Sequence, residues 1–170
     1  MAFASIAVAW VLAQVGQDDS LMVTGLYALL VALVVGLVIG AANGIVVAYL
    51  KVHSFIVTLG MASIVSGAAL MLTDGVPVYG IPKSFIAAVG RSTWAGVPSF
   101  VWIVGVILVV LTLLLTQSRP GKYIRAVGRD QRATELSGIN AKAYLVLAYA
   151  IWGMCASLAA LVLSVQLGSG

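Results

Sequence analysis

Apolar residues fill long runs of this chain, and short polar stretches separate one run from the next. The longest run, residues 21–50, has thirty positions without a charge, whereas crossing the hydrocarbon core of a bilayer takes about 20 apolar residues. This pattern predicts an all-α protein: a polytopic transmembrane helical bundle, with residues 1–170 as one partial membrane domain. The pattern gives about five apolar segments, at residues 1–15, 21–50, 55–72, 99–116 and 143–167.

The composition argues against a soluble domain. Hydrophobic residues make up 62% of the chain and charged residues 8%, whereas soluble domains carry roughly 25% charged residues. The net charge of +4 does not indicate a nucleic-acid partner, because the basic residues lie beside apolar segments and form no face interleaved with aromatic residues. Cys155 is the only cysteine, so an internal disulfide and a cysteine metal cluster are both excluded.

Both ends of the chain are unusual for a membrane protein. Residues 1–15 are short for a membrane span, and no basic residue precedes their apolar part as it would in a signal peptide. The last apolar run ends near residue 167 without a charged stop. We therefore expect a fragment that lacks both ends of a longer protein.

Residues 118–142 are the one stretch with the composition of a soluble loop, and their positive charge predicts a cytoplasmic position. Counting spans from this loop places Lys51 inside and residues 73–98 outside. Lys and Arg then divide seven inside against two outside. The six basic residues of the loop are Arg119, Lys122, Arg125, Arg129, Arg132 and Lys142.

Residues 73–98 are rich in proline and glycine, which predicts turns and short pieces on the outer face rather than a span. Within them, residues 85–89 are expected to form a short amphipathic helix, with Trp94 as an anchor at the level of the lipid headgroups.

Small residues recur at every fourth position of the long apolar run, which places them along one face of a helix. In a membrane such a face lets two backbones approach closely, so it predicts a helix-packing seam. A continuous helix of this length would reach about 45 Å at 1.5 Å per residue, and we expect any break at Asn43-Gly44. The seam consists of Ala28, Ala32, Gly36, Gly40, Gly44 and Ala48.

The basic loop has its own helix signals. Pro120-Gly121 predicts a turn after the membrane exit, and Gly138 and Asn140 predict the end of one helix and the cap of the next, with a short helix at about 130–137. Its apolar positions (133, 136 and 139) form a ridge that two interpretations explain equally well. The ridge inserts into a groove of a cytoplasmic protein, or it packs on its own subunit while the arginines bind anionic membrane lipid.

Residues 128–139 (GRDQRATELSGI) resemble the cytoplasmic loop of ribose-type permeases of bacterial ABC importers, the group that serves ribose, xylose and arabinose. Residues 43–50 (NGIVVAYL) followed by 54–61 (SFIVTLGM) are similar to a second signature of that family. Residues 126–128 and 167–170 fit as well. The matches follow the family order and spacing over most of the chain.

The resemblance implies an inner-membrane sugar permease that works with a cytoplasmic sugar-type ATPase, a periplasmic substrate-binding protein and a second permease copy. ATP would be bound by the partner subunit, so no cofactor and no enzymatic activity of its own are expected; the chain has no phosphate-binding loop. The basic loop would be the coupling helix. The residues implied in docking are Gly128, Arg129, Arg132, Ala133, Glu135, Leu136, Ser137, Gly138 and Ile139.

A sugar path would be lined by uncharged hydrogen-bonding groups, for which Asn43, Thr58, Ser63 and Ser66 are the candidates. Each of them could equally satisfy a backbone carbonyl of its own helix. The spans hold no evident charge for proton coupling, which favours a separate ATPase as the energy source. Two alternatives stay open: a fragment of a secondary transporter or channel, and a non-functional remnant of the permease.

Overall fold

Six helices and one pair of two-residue strands make up the part of the chain that the computed structural model describes, residues 21–76, 93–94 and 97–167. The strands β1 and β2 pair antiparallel, with Thr93 opposite Pro98. The predicted all-α class is confirmed. In chain order the elements are α1 (Leu21–Leu50), α2 (Ser54–Thr73), β1 (Thr93–Trp94), β2 (Val97–Pro98), α3 (Ser99–Gln117), α4 (Arg119–Arg129), α5 (Gln131–Leu136) and α6 (Ala141–Leu167).

Three of these helices, α1, α2 and α6, are long and apolar enough to cross a membrane, and the number rises to four if α3 and α4 are counted as one bent span. The multi-pass prediction is therefore confirmed for the described residues. The predicted segment 1–15, the short helix at 85–89 and residues 168–170 lie outside them.

The core of the described chain is the contact between α1 and α6, which pack antiparallel. Gly36 of α1 faces Ser157 of α6, whereas Gly44, two turns later, faces Val146. Because glycine has no side chain, the two backbones approach closely: a Cβ on Gly153 would lie 2.8 Å from the Cα of Gly40. The six members of the predicted seam are all buried: Ala28, Ala32, Gly36, Gly40, Gly44 and Ala48.

The expected helix break at Asn43-Gly44 is wrong, because α1 is one continuous helix from Leu21 to Leu50. A glycine weakens a helix interior mainly through backbone entropy, but tight packing against α6 opposes that effect here. A Cβ on Gly44 would lie 2.8 Å from the Cα of Val146. Close approach, rather than a turn, accounts for this glycine.

Helix α2 is held much more loosely than α1 or α6. Only Val57 and Ala69 are buried among its twenty residues. Asp74 caps the C-terminal end of the helix in the left-handed conformation, with φ of 50°, and Gly75 follows with φ of 72°. Most of its apolar surface is therefore free to contact lipid or another helix.

Candidate functional site

The basic loop begins with a sharp elbow between α3 and α4, whose axes differ by 77°. Ser118 makes the elbow: its hydroxyl donates to the carbonyl of Leu114 and accepts from the N–H of Gly121 at 3.1 Å. Gly121 lies so close to α3 that a Cβ there would stand 2.6 Å from the Cα of Leu115. The predicted turn at Pro120-Gly121 is wrong in detail, since both residues belong to the first turn of α4, where proline costs no internal hydrogen bond.

Helix α4 is amphipathic and lies against the bundle by its apolar face. Val127 is buried, and the ring of Tyr123 packs at 5.1 Å, centroid to centroid, on the ring of Tyr144 in α6. Arg125 and Arg129 are exposed, and the guanidinium of Arg125 donates to the carbonyl of Thr116 at 3.4 Å. Arg129 thus faces solvent, whereas Arg125 also contacts the C-terminal end of α3.

A second short helix, α5, follows after a break at Asp130, whose backbone is extended with φ of −154°. Its carboxylate caps α5 by accepting from the N–H of Ala133 at 3.0 Å. The break divides the predicted docking residues: Gly128 and Arg129 lie on α4, and Arg132, Ala133, Glu135 and Leu136 lie on α5. The 128–139 segment therefore holds the end of α4, the whole of α5 and its caps, and α5 agrees with the short helix predicted at about 130–137.

The end of α5 is a complete Schellman motif. The N–H of Ile139 donates to the carbonyl of Thr134 at 3.3 Å, and the N–H of Gly138 donates to the carbonyl of Glu135 at 3.0 Å. Gly138 has φ of 79°, a conformation that favours glycine. The predicted roles of Gly138 and Asn140 are confirmed, because the Asn140 side chain accepts from the N–H of Ala143 at the start of α6.

A groove of about 900 Å³ lies between α4 and α5. Lys122, Arg125 and Arg129 line one side of it, and Ala133 and Ile139 line the other. Segment 118–142 carries six basic and two acidic residues, so the surface around the groove is positive. It could hold an acidic partner segment.

Leu136 is the most exposed large apolar side chain of the described residues, at 89%. Leu136 does not line the groove, and nearly all of its side chain is open to solvent. The interpretation in which the ridge at 133, 136 and 139 packs on its own subunit is therefore not supported at its central residue. An exposed leucine flanked by Arg132 and Glu135 is suited to insertion into an apolar pocket of another molecule.

The described residues contain no group of three His, Cys, Asp or Glu that could hold a metal ion. The two acids of the loop serve as cap and helix partner: Asp130 caps α5, and Glu135 accepts from Gln131 at 3.2 Å.

The membrane helices bring together three of the four predicted path residues. Asn43 of α1 and Thr58 and Ser66 of α2 line one cavity of about 170 Å³, closed on its third side by α6. Ser63 does not line this cavity; it is exposed, and its hydroxyl donates to the carbonyl of Leu59 at 3.1 Å.

The hydroxyl of Thr58 donates to the carbonyl of Phe55 at 3.1 Å, so it satisfies its own helix as threonine commonly does. Asn43 differs, because its Oδ1 is buried without a hydrogen-bond partner among the described residues. The side chain is 4% exposed. Among the predicted path residues, Asn43 is therefore the one with a buried polar atom that has no hydrogen-bond partner in the described structure.

Sequence reasoning missed the α6 side of this region. Trp152 lines the cavity beside Gly153 and Ser157, and it also lines a neighbouring cavity of about 280 Å³ with Thr58. A signal was available: small residues recur along α6 at intervals of three and four, and all are buried. They are Ala150, Gly153, Ser157, Ala160 and Ser164.

Comparison with known proteins places these features in a family context. A family model described as "Branched-chain amino acid transport system / permease component" matches residues 1–170. The chain is 35% identical over 150 residues to the ribose import permease protein of Escherichia coli (strain K12), covering 86% of this chain and 47% of that protein. It is 33% identical over 129 residues to the D-allose transport system permease protein of the same strain, covering 76% of this chain and 39% of that protein.

The L-arabinose transport system permease protein of E. coli K12 is 30% identical over 128 residues, covering 75% of this chain and 39% of that protein. The chain thus spans less than half the length of these three relatives. No solved structure matches the chain.

Proposed function

The chain belongs to the family described as "Branched-chain amino acid transport system / permease component", and from this premise we propose that it forms part of the transmembrane subunit of a bacterial ABC importer. The subunit moves a monosaccharide or a similar small polar solute across the inner membrane. The energy comes from ATP that a partner subunit binds and hydrolyses.

Two observations favour a sugar over an amino acid as the solute, although the family description names amino acids. The relatives above are named for ribose, allose and arabinose. In addition, the residues that line the membrane cavity are all uncharged. A zwitterionic amino acid would have to leave water without a charged partner there, which is costly, whereas a sugar needs only hydrogen bonds and apolar contact.

The observation that carries the docking proposal is the exposure of Leu136 on a capped, positively charged helix. A leucine that is 89% exposed on a water-facing loop gains free energy when an apolar pocket of another molecule covers it. Helix α5 enters an apolar pocket of the cytoplasmic ATPase, and Arg129 and Arg132 contact its acidic rim. Gly128, Ala133, Ser137 and Ile139 shape the same surface.

Helix α4 links the docked segment to the membrane. It is joined to α3 through the Ser118 elbow and to α6 through Tyr123 and Tyr144. A shift of α5 on closure of the ATPase therefore reaches both helices. A second permease copy, a periplasmic binding protein and membrane lipid complete the assembly, with residues 118–142 on the cytoplasmic side.

The experiment is co-purification of the full-length permease with its cytoplasmic ATPase from detergent-solubilised membranes. Leu136→Asp places a charge in the apolar contact and should reduce the recovered ATPase by about ten-fold or more. Val76→Asp is the matched control, because Val76 is 61% exposed and lies outside the proposed docking surface; it should leave recovery unchanged.

Equal recovery with Leu136→Asp and wild type would contradict docking through α5. Absence of any ATPase with wild-type protein, with and without nucleotide, would contradict the ABC importer itself and favour the secondary transporter or channel. A protein that inserts and binds ATPase but transports nothing would be the inactive remnant.

A further inference from the structure

Asn43 has an acceptor atom that the described part of the protein does not use. Its side chain is 4% exposed, and its Oδ1 has no hydrogen-bond partner among the described residues. Leaving a buried acceptor unpaired costs the desolvation of that group without a compensating bond. A helix-packing role does not require this cost, since the neighbouring Gly40 and Gly44 pack against α6 without a polar side chain of their own.

The surroundings of Asn43 specify what could satisfy it. The cavity that it lines, about 170 Å³, is comparable to the roughly 150 Å³ cavity that admits a benzene-sized molecule. Its lining is uncharged and includes the indole of Trp152 and the hydroxyl-bearing Thr58 and Ser66. An acceptor beside an aromatic surface suits a neutral molecule with hydroxyl donors on one side and an apolar C–H face on the other.

Access to the acceptor requires a movement, because the accessible area of Oδ1 is below 1 Å². Of the three helices around the cavity, α2 is the one with few anchoring contacts: Val57 and Ala69 are its only buried residues. Helices α1 and α6, in contrast, are locked by the seam of small residues. The element that opens the cavity is therefore α2, since segments with few buried contacts move at the lowest cost.

We propose that Asn43 and Trp152 form a subsite for a neutral polyhydroxylated solute, and that the Asn43 Oδ1 accepts a solute hydroxyl when α2 moves away from α1. The inference rests on the proposed permease function and assigns the polar and aromatic sides of its path. It distinguishes Asn43 from Thr58 and Ser63, whose hydroxyls already donate within their own helix.

The test uses the full-length permease with its ATPase in detergent, and D-ribose, L-arabinose and D-allose as probes. Thermal unfolding is followed as each sugar is titrated, with sucrose as the control for general osmolyte stabilisation. Wild type should show a saturable rise in Tm with at least one of the three sugars beyond the sucrose effect. Asn43→Leu should lose that rise, Trp152→Leu should weaken it, and Ser63→Ala should retain it.

Without sugar, Asn43→Leu should have a Tm equal to or above that of wild type, because the unpaired polar group is removed at similar volume. Uptake of the same sugar into vesicles should fall by about 10- to 100-fold in kcat/KM for Asn43→Leu, the range expected when a buried hydroxyl of the solute is left without a partner. ATPase recovery should be unchanged.

A sugar-dependent rise in Tm that is equal in wild type and Asn43→Leu would overturn the subsite. So would a lowered Tm of Asn43→Leu in the absence of sugar together with unaltered uptake, because Asn43 would then serve folding alone. If wild type carries no sugar and recovers no ATPase, the permease assignment fails instead, and the two failures are distinguishable.

Discussion

The rings of Tyr123 and Tyr144 pack against each other at 5.1 Å with an angle of 52° between their planes. Tyr123 belongs to the surface helix α4, and Tyr144 lies near the start of the membrane helix α6. Together with the Ser118 elbow, this contact gives α4 two attachments to the bundle. A force on the loop is then transmitted to α3 and α6 at once.

Tyr123→Ala should weaken this transmission without removing the docking surface. Aromatic pairs contribute about 0.5–1.5 kcal/mol beyond area burial, so we expect faster hydrogen exchange across α4 and a several-fold lower sugar-stimulated ATP hydrolysis. Tyr123→Phe keeps the ring and should behave as wild type. Unchanged exchange and hydrolysis with Tyr123→Ala would show that the pair carries no coupling.

The close contact between α1 and α6 can be tested by substituting a glycine of the seam, with a glycine of α2 as the control. Gly40→Ala places a Cβ about 3.1 Å from the Cα atoms of Ala150 and Gly153, and against the carbonyl of Tyr149. Such overpacking costs typically 1–3 kcal/mol, so we expect a lower Tm of the purified protein. Gly67→Ala, on α2 with no atom within 4 Å of the added Cβ, should leave Tm unchanged or raise it, since alanine favours helix by about 1 kcal/mol.

If Gly40→Ala and Gly67→Ala had the same Tm, the tight contact between α1 and α6 would be refuted. Gly40 would then be an ordinary helix glycine.

Gly138 tests the shape of the docking segment. Gly138→Ala forces a side chain into the left-handed conformation at φ of 79°, at a cost of about 1 kcal/mol, and should loosen the end of α5. We expect reduced ATPase recovery with normal membrane insertion. Gly105→Ala is the control and should leave recovery unchanged, because Gly105 lies within α3, outside the docking surface, and an added Cβ meets nothing within 4 Å.

A stronger disturbance comes from Gly138→Pro, because proline cannot adopt positive φ and removes the N–H that bonds to Glu135. Glu135→Lys should impair coupling by altering the charge next to Leu136. Full sugar-stimulated hydrolysis by Gly138→Pro would refute the assignment of the loop.

The orientation of the protein can be measured with single cysteines, because Cys155 is the only native one. In a Cys155→Ser background, Leu136→Cys and Val76→Cys place thiols at positions that are 89% and 61% exposed in the native structure. A membrane-impermeant maleimide added outside spheroplasts should label Val76→Cys and leave Leu136→Cys unlabelled until the membrane is broken. The reverse labelling would invert the topology.

The sequence was sufficient to predict features that depend on a single helix. The four-residue spacing from Ala28 to Ala48 predicts the packing face of α1. Gly138 predicts the C-terminal end of α5, and Asn140 predicts the start of α6. Both kinds of signal are local, since they depend on side-chain size and backbone φ within one segment.

The sequence was insufficient where a feature needs two elements. The contact of α4 with α6 through Tyr123 and Tyr144 requires both helices to be in place. The grouping of Asn43 with Trp152 requires the antiparallel register of α1 and α6. The break expected at Asn43-Gly44 is wrong because a glycine in a long helix is consistent either with a break or with a close helix contact. The sequence of one helix does not distinguish these two possibilities.

The most direct measurement of the central claim is ATP-dependent uptake of labelled D-ribose, L-arabinose and D-allose into vesicles. The vesicles contain the full-length permease with its ATPase and binding protein. The account predicts uptake of at least one sugar by wild type and by Val76→Asp, and a loss of about ten-fold or more for Leu136→Asp. Uptake that is the same for Leu136→Asp and wild type, or that proceeds without ATP, would contradict it.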